Sequence, residues 1–139
     1  NILVDVEMVK AGIRKDILER YGGRVICHLS EQKIKEESIE SEKTRSEIAI
    51  EMGARENIGI VAIGNAPTAL YKIMKLIKNK VFKPELVIGV PVGFVKAVES
   101  KEVLLHMKYP FITSLGRKGG SSVAVAIVNA LLRMAAGEK

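Results

Sequence analysis

Tryptophan is absent from this chain, and aromatic residues make up only 4% of its 139 residues. Carbohydrate platforms and base-stacking nucleic-acid surfaces are built on aromatic faces, so the composition speaks against both. One cysteine, Cys27, lies inside an apolar run. A single thiol excludes a disulfide framework or a cysteine-rich metal site within one chain. Histidine is almost as scarce: His28 and His106 stand far apart in sequence, too far to support a metal site, and without a partner motif each reads as structural rather than catalytic. There is no Gly-x-Ser-x-Gly elbow and no evident serine or cysteine nucleophile arrangement. No apolar stretch is long enough to span a bilayer, and no signal-peptide pattern opens the sequence. The expected setting is cytoplasmic.

Basic charge is what the chain has. Lys and Arg number 22 against 16 Asp and Glu, giving a formal net charge of +6 and a sequence pI near 9.5. Such a field favours acidic partners: phosphates, polycarboxylates, nucleic acid or anionic lipid. The lysines are dispersed along the chain, so a nucleic-acid tail is not expected. The length suffices for one domain with a real core.

Apolar runs at 1–6, 24–28, 58–63, 86–90 and 111–115 read as five strands. The third and fourth are continuous, as strands buried on both faces of a parallel sheet are. Helical patterns lie between them. Residues 8–21 suggest two short helices broken near Gly12. Residues 34–52 are strongly charged, and their first half reads as loop or helix. In 66–78, Leu70, Ile73, Met74 and Ile77 share one face at helical spacing. Asn65 is placed to cap this helix and Pro67 to occupy its first turn; Lys75 and Lys78 suit its negative end. Residues 92–107 read as helical with a possible break near Glu99. Residues 121–136 read as a helix opened by a serine cap, too apolar to face water, hence sandwiched in the fold or part of a subunit interface. Strands alternating with helices predict an α/β fold: three layers, doubly wound, with a mainly parallel five-stranded sheet of flavodoxin-like type.

Three strand-to-helix junctions carry residues that a core does not need: Gly64-Asn65-Ala66-Pro67-Thr68, Gly89-Val90-Pro91-Val92-Gly93-Phe94 and Gly116-Arg117-Lys118-Gly119-Gly120-Ser121. In an open parallel sheet they all emerge on one edge, at the carboxyl ends of the strands. Backbone N–H groups and positive helix ends gather there for an anionic ligand. The third junction is neither a P-loop nor the Gly-x-Gly-x-x-Gly fingerprint, and by spacing alone it is either an anion site or a tight basic turn. The first could simply start a helix. Thr44-Arg45-Ser46 reads as an exposed helix start when taken alone. Glu99-Ser100-Lys101 reads as a surface helix end or a ligand contact.

Taken together and in order, these segments resemble the precorrin-8X methylmutase family of corrin-ring biosynthesis. The likeness starts at Asp5 and Met8-Val9-Lys10-Ala11-Gly12-Ile13 and passes through Val25-Ile26-Cys27 and Thr44-Arg45-Ser46. It is densest in the first two junctions. It continues through Glu99-Ser100-Lys101 and closes on the third junction and Asn129-Ala130-Leu131. The resemblance implies an enzyme that moves a methyl group from C11 to C12 of a corrinoid macrocycle, in cobalamin biosynthesis. It implies a substrate bearing many acetate and propionate arms and a homodimer with the ring near the shared interface. It implies no cofactor and no protein metal site; cobalt, where present, travels with the substrate. No nucleic-acid or membrane partner is expected.

Carried onto this sequence, Arg45, Arg117 and Lys118 are the cationic candidates for the carboxylates. Thr44, Ser46, Asn65, Thr68 and Ser121 are neutral hydrogen-bonding candidates, and Phe94, Gly119 and Gly120 complete the binding set. A polycarboxylate calls for such distributed donors, and methyl migration calls for held geometry and a placed proton rather than a nucleophile. The family's catalytic histidine belongs to an Arg-x-Ile-His-type segment upstream of everything matched. No such segment occurs here and neither His28 nor His106 aligns with it, so no catalytic residue is carried over. The expectation is a single methylmutase-like domain over residues 1–139, lacking the family's N-terminal segment; the non-methionine first residue favours a missing upstream piece. The alternatives are a catalytically incomplete corrinoid- or tetrapyrrole-binding relative and, from the basic turn alone, a phosphate- or nucleotide-binding regulator.

Overall fold

The computed structural model describes residues 1–138. Its five strands are shorter than the apolar runs that hold them: β1 (Ile2–Val4), β2 (Val25–Ile26), β3 (Ile60–Ile63), β4 (Leu86–Gly89) and β5 (Phe111–Thr113). All pair in parallel, in the order β2-β1-β3-β4-β5. Leu3 lies opposite Ile26 on one side and Val61 on the other, and Ile88 lies between Ala62 and Ile112. The chain leaves β1 toward β2 and comes back on the other side of β1 as β3. That reversal marks the switch point where open α/β sheets bind ligands.

Side chains alternate between two apolar layers, as the pleat dictates. Leu3, Val61, Ile63 and Val87 pack with Ile50, Leu70, Ile73 and Leu104. Ile2, Val4, Ala62 and Ile88 pack with Val9, Ile17, Val128 and Leu132. The first layer is closed by α4 (Arg45–Gly53), α5 (Pro67–Lys78) and α6 (Val95–Leu105); the second by α1 (Glu7–Gly12), α2 (Lys15–Glu19) and α7 (Ser121–Ala135). The three-layer, five-stranded, doubly wound expectation therefore holds.

The expected break near Gly12 is present, and α7 explains its stability. Asn129 donates to the Gly12 carbonyl (3.0 Å) and accepts the Arg14 N–H (2.8 Å), satisfying backbone groups that the helix ends leave open. Other helix limits are narrower than the sequence patterns or resolve an open choice. The first half of 34–52 is helical: α3 (Gln32–Glu40) buries Ile34 against Ile48 and Ala49. The chain breaks instead before Thr44, which caps α4 in a capping box with Glu47. α6 begins at Val95 and runs through Glu99 without a break. α7 buries only the stripe Ala124, Val128 and Leu132, while Ala126, Ala130 and Met134 face outward. It is thus not sandwiched; small alanines let an apolar helix carry an open face.

Lys72 ties α5 to α4. It is buried, and its ammonium lies 2.7 Å from the Glu51 carboxylate, which also binds Lys43 at 3.0 Å. Burial pushes the Glu51 carboxyl up, but hydrogen bonds and charge from Lys72 and Lys43 outweigh this and hold it below its ordinary value. With the folded pKa depressed, its stabilisation is complete above the unfolded value and is lost as pH falls through the folded one. Glu51→Gln should cost about 2 kcal/mol at neutral pH by urea unfolding, because it strands a buried ammonium. The gap to wild type should close on acidification below the ordinary glutamate range; equal stability at all pH values would contradict the role given to this pair.

Candidate functional site

The carboxyl edge of the sheet is organised by Asp5, the first residue after β1. It is 1% exposed and lies at the switch point. Its Oδ1 accepts the Gly64 N–H (3.0 Å), and its Oδ2 accepts the N–H groups of Asn65 (3.0 Å) and Ala66 (2.8 Å). Burial raises the Asp5 carboxyl, against the opposing pull of these three donors. This corrects the reading of Asn65 as a cap: the N-cap position of α5 is Ala66, without a side-chain bond of its own. A carboxylate from the neighbouring strand already answers the N–H groups ahead of this helix, and the Asn65 side chain is left toward solvent.

The three junctions meet around this turn. A Cβ at Gly64 would stand 2.8 Å from Ser121 Cα and 3.1 Å from the Gly120 carbonyl oxygen. The Gly120 N–H donates to the Val90 carbonyl (2.8 Å), and the Gly93 N–H to the Arg117 carbonyl (3.2 Å). Gly119 runs so close to the Val90 carbonyl that no side chain fits. Asn65, Thr68, Phe94 and residues 117–121 therefore belong to one edge. The Arg117 guanidinium sits over the Phe94 ring, 5.7 Å from its centroid, within range of a cation–π contact. These two residues line a groove of about 450 Å³ with Val95, Val98, Glu99 and Glu102.

Gly120, not Ser121, is the N-cap of α7, at φ 114°. That backbone favours glycine, and the expected serine cap is absent. Phe94 caps α6 equally without a side-chain bond. Two helix starts with uncapped N–H groups thus flank Arg117 and Lys118, both exposed. The opposite half of the edge is acidic. Asp5 and Glu7 lie near Cys27, whose thiol is pushed up to about 11, first by burial and further by these carboxylates. It is a protonated thiol at neutral pH and not a nucleophile.

Thr44, Arg45 and Ser46 open α4, which packs beside α5, and the capping box engages the Thr44 hydroxyl. Arg45 is exposed. His28 has both ring nitrogens on carboxylates, Glu31 on one side and Glu56 (2.7 Å) on the other. His106 ends α6 and lines a separate groove of about 580 Å³ between α5 and α6. Among the described residues, no group of three or more His, Cys, Asp or Glu could hold a metal ion, and no helix is long and apolar enough to cross a membrane.

Sequence reasoning missed two residues. Asp5 was matched within the resemblance but given no task; an acidic residue closing an apolar strand was its signal. Lys101, offered as a surface or ligand-contact residue, is instead 0% exposed within α6, and its ammonium donates to the Lys118 carbonyl at 2.8 Å.

The family model for precorrin-8X methylmutase matches residues 1–134. A cobalt-precorrin-8 methylmutase of Priestia megaterium is 47% identical over 131 residues, covering 94% of this chain and 58% of that protein. A precorrin-8X methylmutase of Pseudomonas aeruginosa is 42% identical over 134 residues, covering 94% of this chain and 64% of that protein. The crystal structure of a precorrin-8X methylmutase from Thermus thermophilus superposes with a TM-score of 0.87 at 36% identity, over 99% of this chain and 66% of that one. The chain spans about three fifths of the length of the first of these curated relatives.

Replacing the carboxylate tests the keystone. Asp5→Asn keeps the volume but turns an amide toward three N–H donors. It should cost about 3 kcal/mol by urea unfolding, the scale of losing charge-assisted bonds to buried donors. Amide exchange at Gly64 and Ala66 should rise beyond that in the sheet. Wild-type stability in this variant would remove Asp5 from the centre of the edge.

Proposed function

This chain belongs to the precorrin-8X methylmutase family, and from that premise we propose that it binds a corrinoid ring at its carboxyl edge and serves as a methylmutase on it. The reaction is the migration of a methyl group from C11 to C12, on precorrin-8X or its cobalt form. One carbon–carbon bond breaks and another forms within the same molecule, so neither redox partner nor hydrolytic water is consumed. What the protein must supply is a fixed ring pose and a proton placed where the shift needs it.

One observation carries this reading: the loops after β3, β4 and β5 meet in one place, with cations and uncapped helix starts on one half. Carboxylate arms pair with Arg117 and Lys118 and with the N–H groups opening α6 and α7. The apolar ring body lies toward Phe94, which is exposed together with Val95 and Leu115. Exposed Glu7 on the β1 side and Glu99 and Glu102 in the groove disfavour carboxylate arms at those points and so restrict the ring's orientation. Thr44, Arg45 and Ser46 contribute contacts from the far side of α5. Exposed Phe94, Val95 and Leu115 beside the half-buried edge strand β5 also support a homodimer. A cytoplasmic setting completes the reading.

A second reading, a corrinoid binder without turnover, is favoured by the histidines. His28 is engaged by two glutamates and His106 lies at the end of α6 in another groove, so neither supplies the proton at this edge.

Incubation with precorrin-8X and with cobalt-precorrin-8 separates the readings. A product carrying its methyl group at C12, identified by NMR, supports the mutase. A shifted absorbance spectrum with unchanged substrate supports the binder alone, and no spectral change rejects both. Arg117→Ala and Lys118→Ala should each weaken ring binding about tenfold, the scale of one charge-assisted hydrogen bond.

A further inference from the structure

The ammonium of Lys101 has no part in the proposed ring contacts, yet it is the one charged group that α6 sends into the protein interior. We infer that Lys101 is a positioning residue: it latches the 116–120 loop, and through that loop it sets where Arg117 and Lys118 stand.

The loop needs a latch. It is bounded by Gly116 at φ 90° and Gly120 at φ 114°, two backbone conformations that side chains rarely adopt, so both ends are permissive. Between them, the Lys118 carbonyl is gripped from two sides, by Lys101 Nζ at 2.8 Å and by the Ser114 hydroxyl at 3.2 Å. Ser114 comes from the same strand-to-helix connection and moves with it. Lys101 comes from α6, whose Leu104 is wholly buried in the core. It therefore ties the loop's main chain to a rigid element by a buried side-chain hydrogen bond. The remaining ties go to the neighbouring junction: backbone bonds from Gly93 to Arg117 and from Gly120 to Val90, and the Arg117 guanidinium over the exposed Phe94 ring.

A lysine is a costly way to fill this space. Burial pulls its pKa down, because leaving water disfavours the charged ammonium. A residue of similar volume without charge would pack there as well or better. Stability does not explain an ammonium at this position, whereas a directed donor reaching a loop carbonyl does. The inference extends the proposed function, since the loop matters because it presents the cations of the ring site.

Lys101→Met keeps the stem and removes the donor. The melting temperature should be held or raised. Hydrogen exchange at the amides of Gly119 and Gly120 should speed by at least about tenfold, the scale of one lost hydrogen bond, with β4 unchanged. Affinity for uroporphyrin, a tetrapyrrole with acetate and propionate arms, should fall by a similar factor. Unchanged exchange at Gly119 and Gly120 overturns the latch, as does a lowered melting temperature with exchange raised throughout the sheet, which would make Lys101 a residue of the fold. Should the variant not fold, Lys101→Gln, which shortens the donor but keeps a polar group, decides by the same measurement: faster exchange at Gly119 and Gly120 with β4 unchanged supports the latch, and unchanged exchange refutes it. If the wild type does not bind uroporphyrin, the carboxylate-cradle reading of the edge fails, and the exchange measurement still decides the latch.

Discussion

The buried carboxylate of Asp5 is the constraint on which the rest of the edge depends. It closes β1 at the point where the strand order reverses and takes three consecutive N–H groups from the turn that follows β3. That turn can then run close enough to α7 that Gly64 leaves no space for a side chain against Ser121 and Ala124. The start of α7 is tied in turn to the end of β4, through Gly120 and Val90. Backbone separated widely in sequence is thereby held at near-contact distances, with glycine at each closest approach. Moving the carboxylate would shift the geometry of all three junctions, because each is referenced to the next.

The same carboxylate divides the edge electrically. On the β1 side, Asp5 satisfies N–H groups just ahead of α5, and Glu7 adds negative charge near a thiol that stays protonated. On the β4–β5 side, the first turns of α6 and α7 have no side-chain caps, and Arg117 and Lys118 stand between them. An anion meets carboxylates on one half and, on the other, Arg117, Lys118 and two helix starts without side-chain caps, with Glu99 and Glu102 beyond them in the groove. The asymmetry suits a large ring that must be held in one orientation more than it suits a small symmetric ion.

The alternation of strand and helix was legible because burial on two faces leaves long β-branched runs, as in Ile60–Ile63. The face of α5 was legible because Leu70, Ile73 and Met74 repeat at helical spacing. Caps were less legible. Asn65 and Ser121 have the side chains of caps and do not cap, since Asp5, fifty-nine positions before Gly64, fixes the turn so that Ala66 takes the cap position of one helix, and a glycine takes that of the other. Such long-range substitutions leave no local trace. Lys101 was misplaced for a related reason: lysine between glutamates reads as a solvated surface, and only the approach of the β5–α7 loop makes its position interior. The helical first half of 34–52 was hidden by its charge, because α3 needs to bury little more than Ile34.

The sheet order also has a consequence for biosynthesis. β1 precedes every other element described, yet it lies inside the sheet between β2 and β3, and Ile2 and Val4 share an apolar layer with Ala124, Val128 and Leu132 of α7. Because synthesis runs from the amino end, β1 is made well before α7, and the apolar layer they share is completed only when α7 packs onto it. Before that, α1 and α2 cover only part of this layer, so the face of Ile2 and Val4 toward Ala124 and Val128 is the last piece of the core to close.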